Sequence, residues 1–415
     1  MIALVDCNNF YASCERLFQP QFEKKPVVVL SNNDGCVVAR SEEAKEVGIR
    51  MGAPAFEVRD LIKRHNVAVF SSNYTLYADM SHRVMETLQQ HCPEVEVYSI
   101  DEAFVTLPPR CNVLTFCHRL RETVKRETGI PVSIGYAPTK TLAKLANSFA
   151  KKEEGVFDFT TADHDTYLGI VPVSKVWGIG GQKAKWLQAR GITTALELKN
   201  ADPRWISKWL TVVGERTVRE LRGEPCMEMD DAPPAKKGIM CSRMFGRPVT
   251  QLAELEEAVS TYTARVAEKL RAEKGAATIL EVFITTGRYS AQYYANKKLF
   301  HLPVATADTC KLSKTALEGL RALFKAGHNY TKAGVFVTGI VDAGEQQGDL
   351  FACVDDEKRQ SFLAVLDSLN QQWGRGAVRY ASEGIKKPWH MKRGSLSKRY
   401  TTSWGELPQI GVCTG

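Results

Sequence analysis

Apolar runs and helical periodicities alternate along the first 165 residues. Ile2-Ala3-Leu4-Val5 is a short unbroken apolar run that predicts a buried strand, and it stops at Asp6. Val27–Leu30 and Pro131–Ala137 predict two more strands. Val95–Leu107 is strand-like but is interrupted by Asp101 and Glu102. A helix is predicted over 112–128, with Leu114, Phe116, Cys117 and Leu120 on its buried face. A clearer one covers 139–152, where Leu142, Leu145, Ala146 and Phe149 fall at i, i+3, i+4 and i+7. Lys140, Lys144, Asn147 and Lys151 form a second stripe on that helix. Its ordinary reading is a solvated face. Its functional reading is a row of ammonium groups facing phosphates.

Residues 166–232 read as all-helical and compact. Val176-Trp177-Gly178-Ile179-Gly180-Gly181-Gln182-Lys183 sits between helical segments and resembles a helix-hairpin-helix element. In such an element Gly178 and Gly180 let backbone N–H groups approach a DNA phosphate, helped by Lys183 and Lys185. Asp230–Gly238 is Pro-rich, charged and aperiodic, which marks a linker. Beyond it the pattern predicts strand 239–248, helix 252–273, strand 277–287, strand 298–304, helix 307–326 and strand 332–341. That order is the β-α-β-β-α-β, split-βαβ arrangement. Arg243, Arg247, Arg288, Lys297 and Lys298 lie in or beside these strands, where they suit a sugar-phosphate backbone.

The last seventy residues have few apolar runs. Gln347-Gly348-Asp349-Leu350-Phe351 is a short motif ending in hydrophobes. Phe362, Val365, Leu366 and Leu369 predict the buried face of a helix over 358–371. Lys386–Tyr400 is basic with aromatic interruptions, as in a tail that docks on a partner or on DNA.

Composition changes this picture little. A chain of 415 residues is too long for one core and implies two to four domains. Its 44% hydrophobic and 25% charged content is that of an ordinary soluble protein, and a net charge of +8 fits nucleic-acid binding without requiring it. Eleven scattered cysteines without a C-x-x-C pair argue against a zinc site. Their odd number, with no secretory leader, points to reduced thiols in the cytoplasm. No run reaches the length of a membrane span.

The chemistry lies in the acids. Asp6 ends one predicted strand, and Asp101 and Glu102 interrupt another. Three carboxylates about 4 Å apart would repel by roughly 4 kcal/mol per pair at an effective dielectric of ~20. A divalent cation turns that repulsion into attraction, and Mg²⁺ prefers carboxylate oxygens while leaving room for phosphates. The expected site is a two-metal centre for phosphoryl or nucleotidyl transfer. Neighbours on a straight strand point to opposite faces, so Asp101 and Glu102 share one site only if the chain turns there. A hairpin centred on 100–102 would supply that turn.

With these segments read, the chain resembles the Y-family translesion DNA polymerases. The anchors are VDCNNFYASCE (5–15), SNNDGCVVARSEEAK (31–45), FSSNYTLYADMS (70–81), YSIDEAF (98–104), TKTLAKLAN (139–147), VWGIG (176–180), ERTVRELRGE (215–224) and RYTT (399–402). The resemblance implies an α+β, right-hand architecture. A ferredoxin-like palm would take residues 1–18 and 75–165, small fingers 19–74, and a helical thumb 166–232. A linker would follow at 233–238, a β-α-β-β-α-β little finger at 239–342, and a partner-binding tail at 343–415.

It implies roles as well. Asp6 and Asp101 would bridge two Mg²⁺ ions, completed by the Cys7 carbonyl, and Glu102 would hold the metal nearest the primer 3′-hydroxyl. Tyr11 resembles the steric gate that rejects a ribose 2′-hydroxyl, beside Phe10 in the nucleotide pocket. Lys45 and Lys151 stand where the family puts cations on the triphosphate, although Glu42 and Lys45 replace the Tyr and Arg of many relatives. Gly178, Gly180, Lys183, Arg243 and Arg247 would contact DNA. Gln347, Leu350 and Phe351 resemble a sliding-clamp motif in which Gly348 replaces a commoner leucine. The expected partners are primer-template DNA, dNTP, a UmuD′-type processed subunit, RecA and the clamp, in the bacterial cytoplasm.

The implied activity is error-prone extension past damaged bases in the SOS response, without proofreading. Two other readings compete. A nucleotide cyclase also carries paired acids on a ferredoxin-like palm, but it needs no duplex grip. A non-catalytic DNA-binding scaffold would not need all three acids.

Overall fold

The computed structural model describes all residues except 110, 161–162, 230–234, 289, 291, 345–356 and 408–415. The chain divides into two units. One comprises Met1–Ser31, Gly35–Pro233 and Ser395–Gly415; the other comprises Asn32–Asp34 and Pro234–Gly394. The residues expected to form one tail are therefore split, 343–394 going with the second unit and 395–415 with the first.

In the first unit, the described residues form a five-stranded sheet in the order Val95–Val97, Glu102–Thr106, Ile2–Cys7, Val132–Ala137, Val156–Asp158. The central strand Ile2–Cys7 is antiparallel to both neighbours. Its apolar run is unbroken because both faces are covered. Ala3, Val5 and Cys7 join one core with Val84 and Leu88, while Leu4 joins another with Leu142 and Ala146. The helix Lys140–Ala150 begins at Thr139, whose hydroxyl accepts from the Leu142 N–H at 3.3 Å. It lies so close to the sheet that a Cβ on Gly135 would stand 2.0 Å from the Asn147 backbone nitrogen. Asn147 seals that contact by donating to the carbonyls of Leu4 (3.1 Å) and Ser133 (2.8 Å).

The helix Val113–Thr128 buries Cys117, Leu120 and Val124 as its period predicts. Leu114, expected on the same face, is 46% exposed, because the packed stripe runs through Val113, Cys117, Leu120 and Val124 and leaves Leu114 to one side of it. A smaller sheet, Val37–Arg40, Val27–Leu30, Ala68–Ser71, has its own core around Val28, Val37 and Ile49. Residues 164–221 are helical, and Leu187, Leu198, Ile206 and Leu221 extend the Leu4–Leu142 core.

The second unit carries the predicted element order. Its antiparallel sheet runs Ala295–Thr306, Gly275–Thr286, Tyr330–Asp342, Gly238–Val249, so a strand of each βαβ unit is inserted between the strands of the other. Helices Leu252–Ala272 and Thr309–Leu323 cover one face through Leu255, Val259, Val266, Leu312 and Leu320. The helix Glu357–Gln372 forms where predicted but turns a different face inward. Phe362, Val365 and Leu369 are exposed and Leu363 is buried. The helix is held along an i, i+4, i+8 stripe instead. Arg359 pairs with Asp308, Leu363 packs inward, and Asp367 makes a two-pronged pair with Arg271 at 2.6 and 2.7 Å.

Candidate active site

Antiparallel pairing brings the acids together. In the register of the central sheet Asp6 lies opposite Glu102 on one side and Ser133 on the other. The expected hairpin is present between Val95–Val97 and Glu102–Thr106. Tyr98 and Ser99 N–H groups both donate to the Glu102 carbonyl (3.1 and 3.0 Å), and the Cys7 N–H donates to the Asp101 carbonyl at 2.8 Å. Asp101 thus sits in the turn while Glu102 opens the strand, which lifts the strict alternation of faces. Ser99 locks the turn. Its Oγ accepts from the Asp101 and Glu102 N–H groups (3.2 and 3.1 Å) and lies 2.6 Å from Asp101 Oδ1.

The lysine stripe is turned onto the acids, with Lys140 and Lys144 largely covered and Lys151 still open to solvent. Lys140, 3% exposed, pairs with Glu96 at 2.5 Å; Lys144 pairs with Glu102 at 2.8 Å; Lys151 pairs with Asp6 at 2.7 Å. Helical spacing and a close helix–sheet contact put three ammonium groups on the acidic edge of the sheet. Asp6 is 6% exposed. Burial pushes its carboxyl from the usual 3.8 up to about 7, against the pull of Lys151 and reinforced by a hydrogen bond to Glu102. Burial also opposes charge on Glu102, but its bonds to Lys144 and Asp6, with Lys151 nearby, hold it below the ordinary carboxylate range. The two neighbouring acids are thus pushed in opposite directions, Asp6 towards the neutral form and Glu102 towards the charged one.

Among the described residues, no three His, Cys, Asp or Glu side chains stand as a finished metal shell. Lys151 and Lys144 supply the positive charge that compensates Asp6 and Glu102. The donor set fits a hard divalent ion, since it consists of carboxylate oxygens, those of Asp6 and Glu102 held by lysines and that of Asp101 by the Ser99 hydroxyl. Lys151 is 43% exposed, so its ammonium can leave Asp6 without unpacking a core.

Phe10 and Tyr11 open the helix Phe10–Phe18, so their faces differ by a helical step and not by strand alternation. Phe10 is buried. The Tyr11 ring stacks on Tyr77 with centroids 4.2 Å apart, and the Asp101 charge is felt at its hydroxyl. Lys45 is paired with Glu42 at 2.6 Å, not with any of the three acids, and Glu42 also accepts from Asn9 at 3.0 Å.

Gly178 adopts φ +83° in the turn before helix Gly181–Gln188, and Gly180 is the residue preceding that helix. Lys183 Nζ donates to the Gly178 carbonyl at 3.3 Å. Next to this turn, Trp177 Nε1 donates to the Tyr98 hydroxyl at 3.0 Å, and Lys144 lies 4.3 Å from the Tyr98 ring centre. Arg243 and Arg247 lie on the first strand of the second unit, where Arg247 pairs with Glu254. Gln347, Leu350 and Phe351 fall outside the described residues. Sequence reading missed Ser99 and Tyr98 as site residues, and it aimed Lys144 at phosphates where the fold pairs it with Glu102. The i, i+4, i+11 repeat of Lys140, Lys144 and Lys151 was the available signal, but a repeat does not say what it faces.

The impB/mucB/samB family model matches residues 5–148, and the model of that family's C-terminal domain matches 236–350. A domain of unknown function matches 360–410. UmuC of Salmonella typhimurium strain LT2 is 45% identical over 424 residues, spanning 99% of this chain and 100% of that protein. MucB of Escherichia coli is 42% identical over 418 residues, spanning 98% and 99%. Among solved structures, the Y-family DNA polymerase chimera Dbh-Dpo4(243-245)-Dbh shares the fold with a TM-score of 0.66. That match has 19% identity, over 82% of this chain and 99% of the chimera.

Proposed function

The chain belongs to the impB/mucB/samB family and is an error-prone translesion DNA polymerase of the UmuC/MucB type, and from that premise we propose how its residues divide the work. One observation carries the proposal: Asp6 faces Glu102 across an antiparallel pair whose adjoining turn presents Asp101. Asp6, Asp101 and Glu102, with the Cys7 carbonyl, would hold two Mg²⁺ ions. Bound there, the metals supply charge neutralisation at the triphosphate and activation of the primer 3′-hydroxyl.

The protein's own part is positioning. Ser99 fixes the Asp101 carboxylate, and Lys144 orients Glu102. Lys151 releases Asp6 and offers its charge to the incoming phosphates. Tyr11 takes the space that a ribose 2′-hydroxyl needs. Gly178, Gly180 and Lys183 approach a DNA phosphate, and Arg243 and Arg247 line the duplex backbone. Residues 347–351 would dock on the sliding clamp. The C-terminal region would meet a UmuD′-type subunit and RecA. Lys45, bound to Glu42, would reach the triphosphate only by leaving that pair. No helix among the described residues is long and apolar enough to cross a membrane.

The test is primer extension by Asp101→Ala alongside primer-template binding. Extension should fall by about a thousandfold or more with binding nearly unchanged, since the acid acts on the reacting phosphate and not on the duplex. Normal extension would remove Asp101 from the catalytic set.

A further inference from the structure

Residues 395–400 lie within the stretch matched by the domain of unknown function, yet they group with the catalytic unit. They are held there by specific bonds. The Ser71 N–H donates to the Ser395 carbonyl at 2.9 Å, and the Ser395 N–H donates back to Ser71 Oγ at 3.0 Å. Asn73 Nδ2 is within reach of the Ser397 carbonyl (3.2 Å), the Ser397 hydroxyl (3.0 Å) and the Lys398 carbonyl (3.2 Å). Tyr400 stacks on Phe18 with ring centres 4.8 Å apart. Asn73 also caps the helix Tyr74–His91 through its Oδ1, so one side chain joins the tail to the helix that carries Tyr77.

The contacts continue to the nucleotide pocket. Glu15 is 0% exposed. Its Oε1 accepts from the Tyr77 hydroxyl at 2.6 Å and from the Ser397 hydroxyl at 3.0 Å. Its Oε2 has no partner among the described residues. A buried carboxyl in this state depends on those two donors for its orientation. Tyr77, also 0% exposed, then stacks on Tyr11 at 4.2 Å and 15°. Tyr11 and Glu15 are one helical turn apart on Phe10–Phe18, so the path closes into a ring of packed groups.

We propose that residues 395–400 are a specificity-determining strap, in which Ser397, acting through Glu15 and Tyr77, holds the Tyr11 ring and sets how strictly ribonucleotides are rejected. The proposal rests on the reading of Tyr11 as the sugar gate. Ser397 is a positioning residue and touches no reacting atom. Loss of its hydroxyl leaves Glu15 with one donor, and the Tyr77 ring loses its fixed anchor. The gate then rocks within its stack, and the pocket tolerates a 2′-hydroxyl more often. A typical hydrogen bond corresponds to about a fivefold change in an equilibrium, which sets the expected scale.

The test uses the full-length chain in its complete extension-competent complex. The readout is the ratio of ribonucleotide to deoxynucleotide insertion, in which the folded fraction cancels. Tyr11→Ala should raise the ratio strongly, Ser397→Ala should raise it about fivefold, and Ser397→Thr, which keeps the hydroxyl, should restore it. Tyr11→Ala combined with Ser397→Ala should not exceed Tyr11→Ala alone. If Tyr11→Ala raises the ratio and Ser397→Ala does not, the strap is overturned and the gate stands. If Ser397→Thr behaves like Ser397→Ala, the hydroxyl's role is overturned. If Tyr11→Ala leaves the ratio unchanged, the gate reading falls and the strap with it.

Discussion

Lys151→Met isolates the cation on Asp6 while keeping the length of the side chain. The ammonium stands 2.7 Å from Asp6 Oδ2. Two unit charges at that separation attract by about 6 kcal/mol at an effective dielectric of ~20. Lys151 is 43% exposed, so solvent screening removes most of this. A second limit comes from the proton. Asp6 already titrates near 7, and losing the lysine raises that value further, because the lysine was holding it down. At pH 8 the carboxyl escapes its lost partner by binding a proton, at about 1.4 kcal/mol per pH unit above its own titration point. The net destabilisation of the metal-free protein at pH 8 is therefore about 1–2 kcal/mol, a fall of roughly 2–6 °C in melting temperature. At pH 5.5 Asp6 is already protonated in the wild type, and the variant should melt close to it. Millimolar Mg²⁺ at pH 8 should recover most of the loss, because a cation on the acids replaces the ammonium. Thermal melts of both proteins at the two pH values, with and without Mg²⁺, measure all of this. An equal loss at both pH values, or a loss that Mg²⁺ leaves untouched, would refute the reasoning.

The same carboxyl predicts a pH dependence of its own. Its folded value lies above the ordinary one, so the stability it contributes is complete below about 3.8 and is lost as pH rises through about 7. Metal-free wild type should lose stability between pH 5 and pH 8, and Asp6→Asn should flatten that slope in chemical denaturation; an unchanged slope would place the titration elsewhere. Gly135→Ala tests the helix–sheet contact beneath the site. Its Cβ would meet the backbone of Ala146 and Asn147 at 2.0–2.6 Å, atoms that cannot swing aside. We expect destabilisation above about 3 kcal/mol in denaturant titrations, with loss of extension; a fully stable variant would mean that the helix can lift away from the sheet at little cost.

Much of the molecule was legible in one dimension. The predicted helix 252–273 is Leu252–Ala272, and predicted strand 332–341 is Tyr330–Asp342. Long elements with a clean period are written into adjacent residues, and the acids announced themselves by sitting where an apolar run stopped. The errors share a cause. The helix over 358–371 has an i, i+3, i+4, i+7 apolar stripe, yet it docks through Leu363 and two ion pairs, because partners on other elements decide which face is covered. The stripe of Lys140, Lys144 and Lys151 is polar and periodic, which is the ordinary signature of a wet surface. It became part of the site because Gly135 lets the helix approach the sheet closely. Similarly, nothing near Ser397 in the chain points to Glu15, 382 residues away.

Element type and the boundaries of long helices followed from short-range order, since backbone hydrogen bonding and side-chain periodicity depend on neighbours within a few residues. Which lysine meets which acid, the opposite shifts of Asp6 and Glu102, and the path from the tail to Tyr11 were settled only by folding. Charge interactions and burial act through space, between groups that lie from 42 to 382 residues apart along the chain until the core forms.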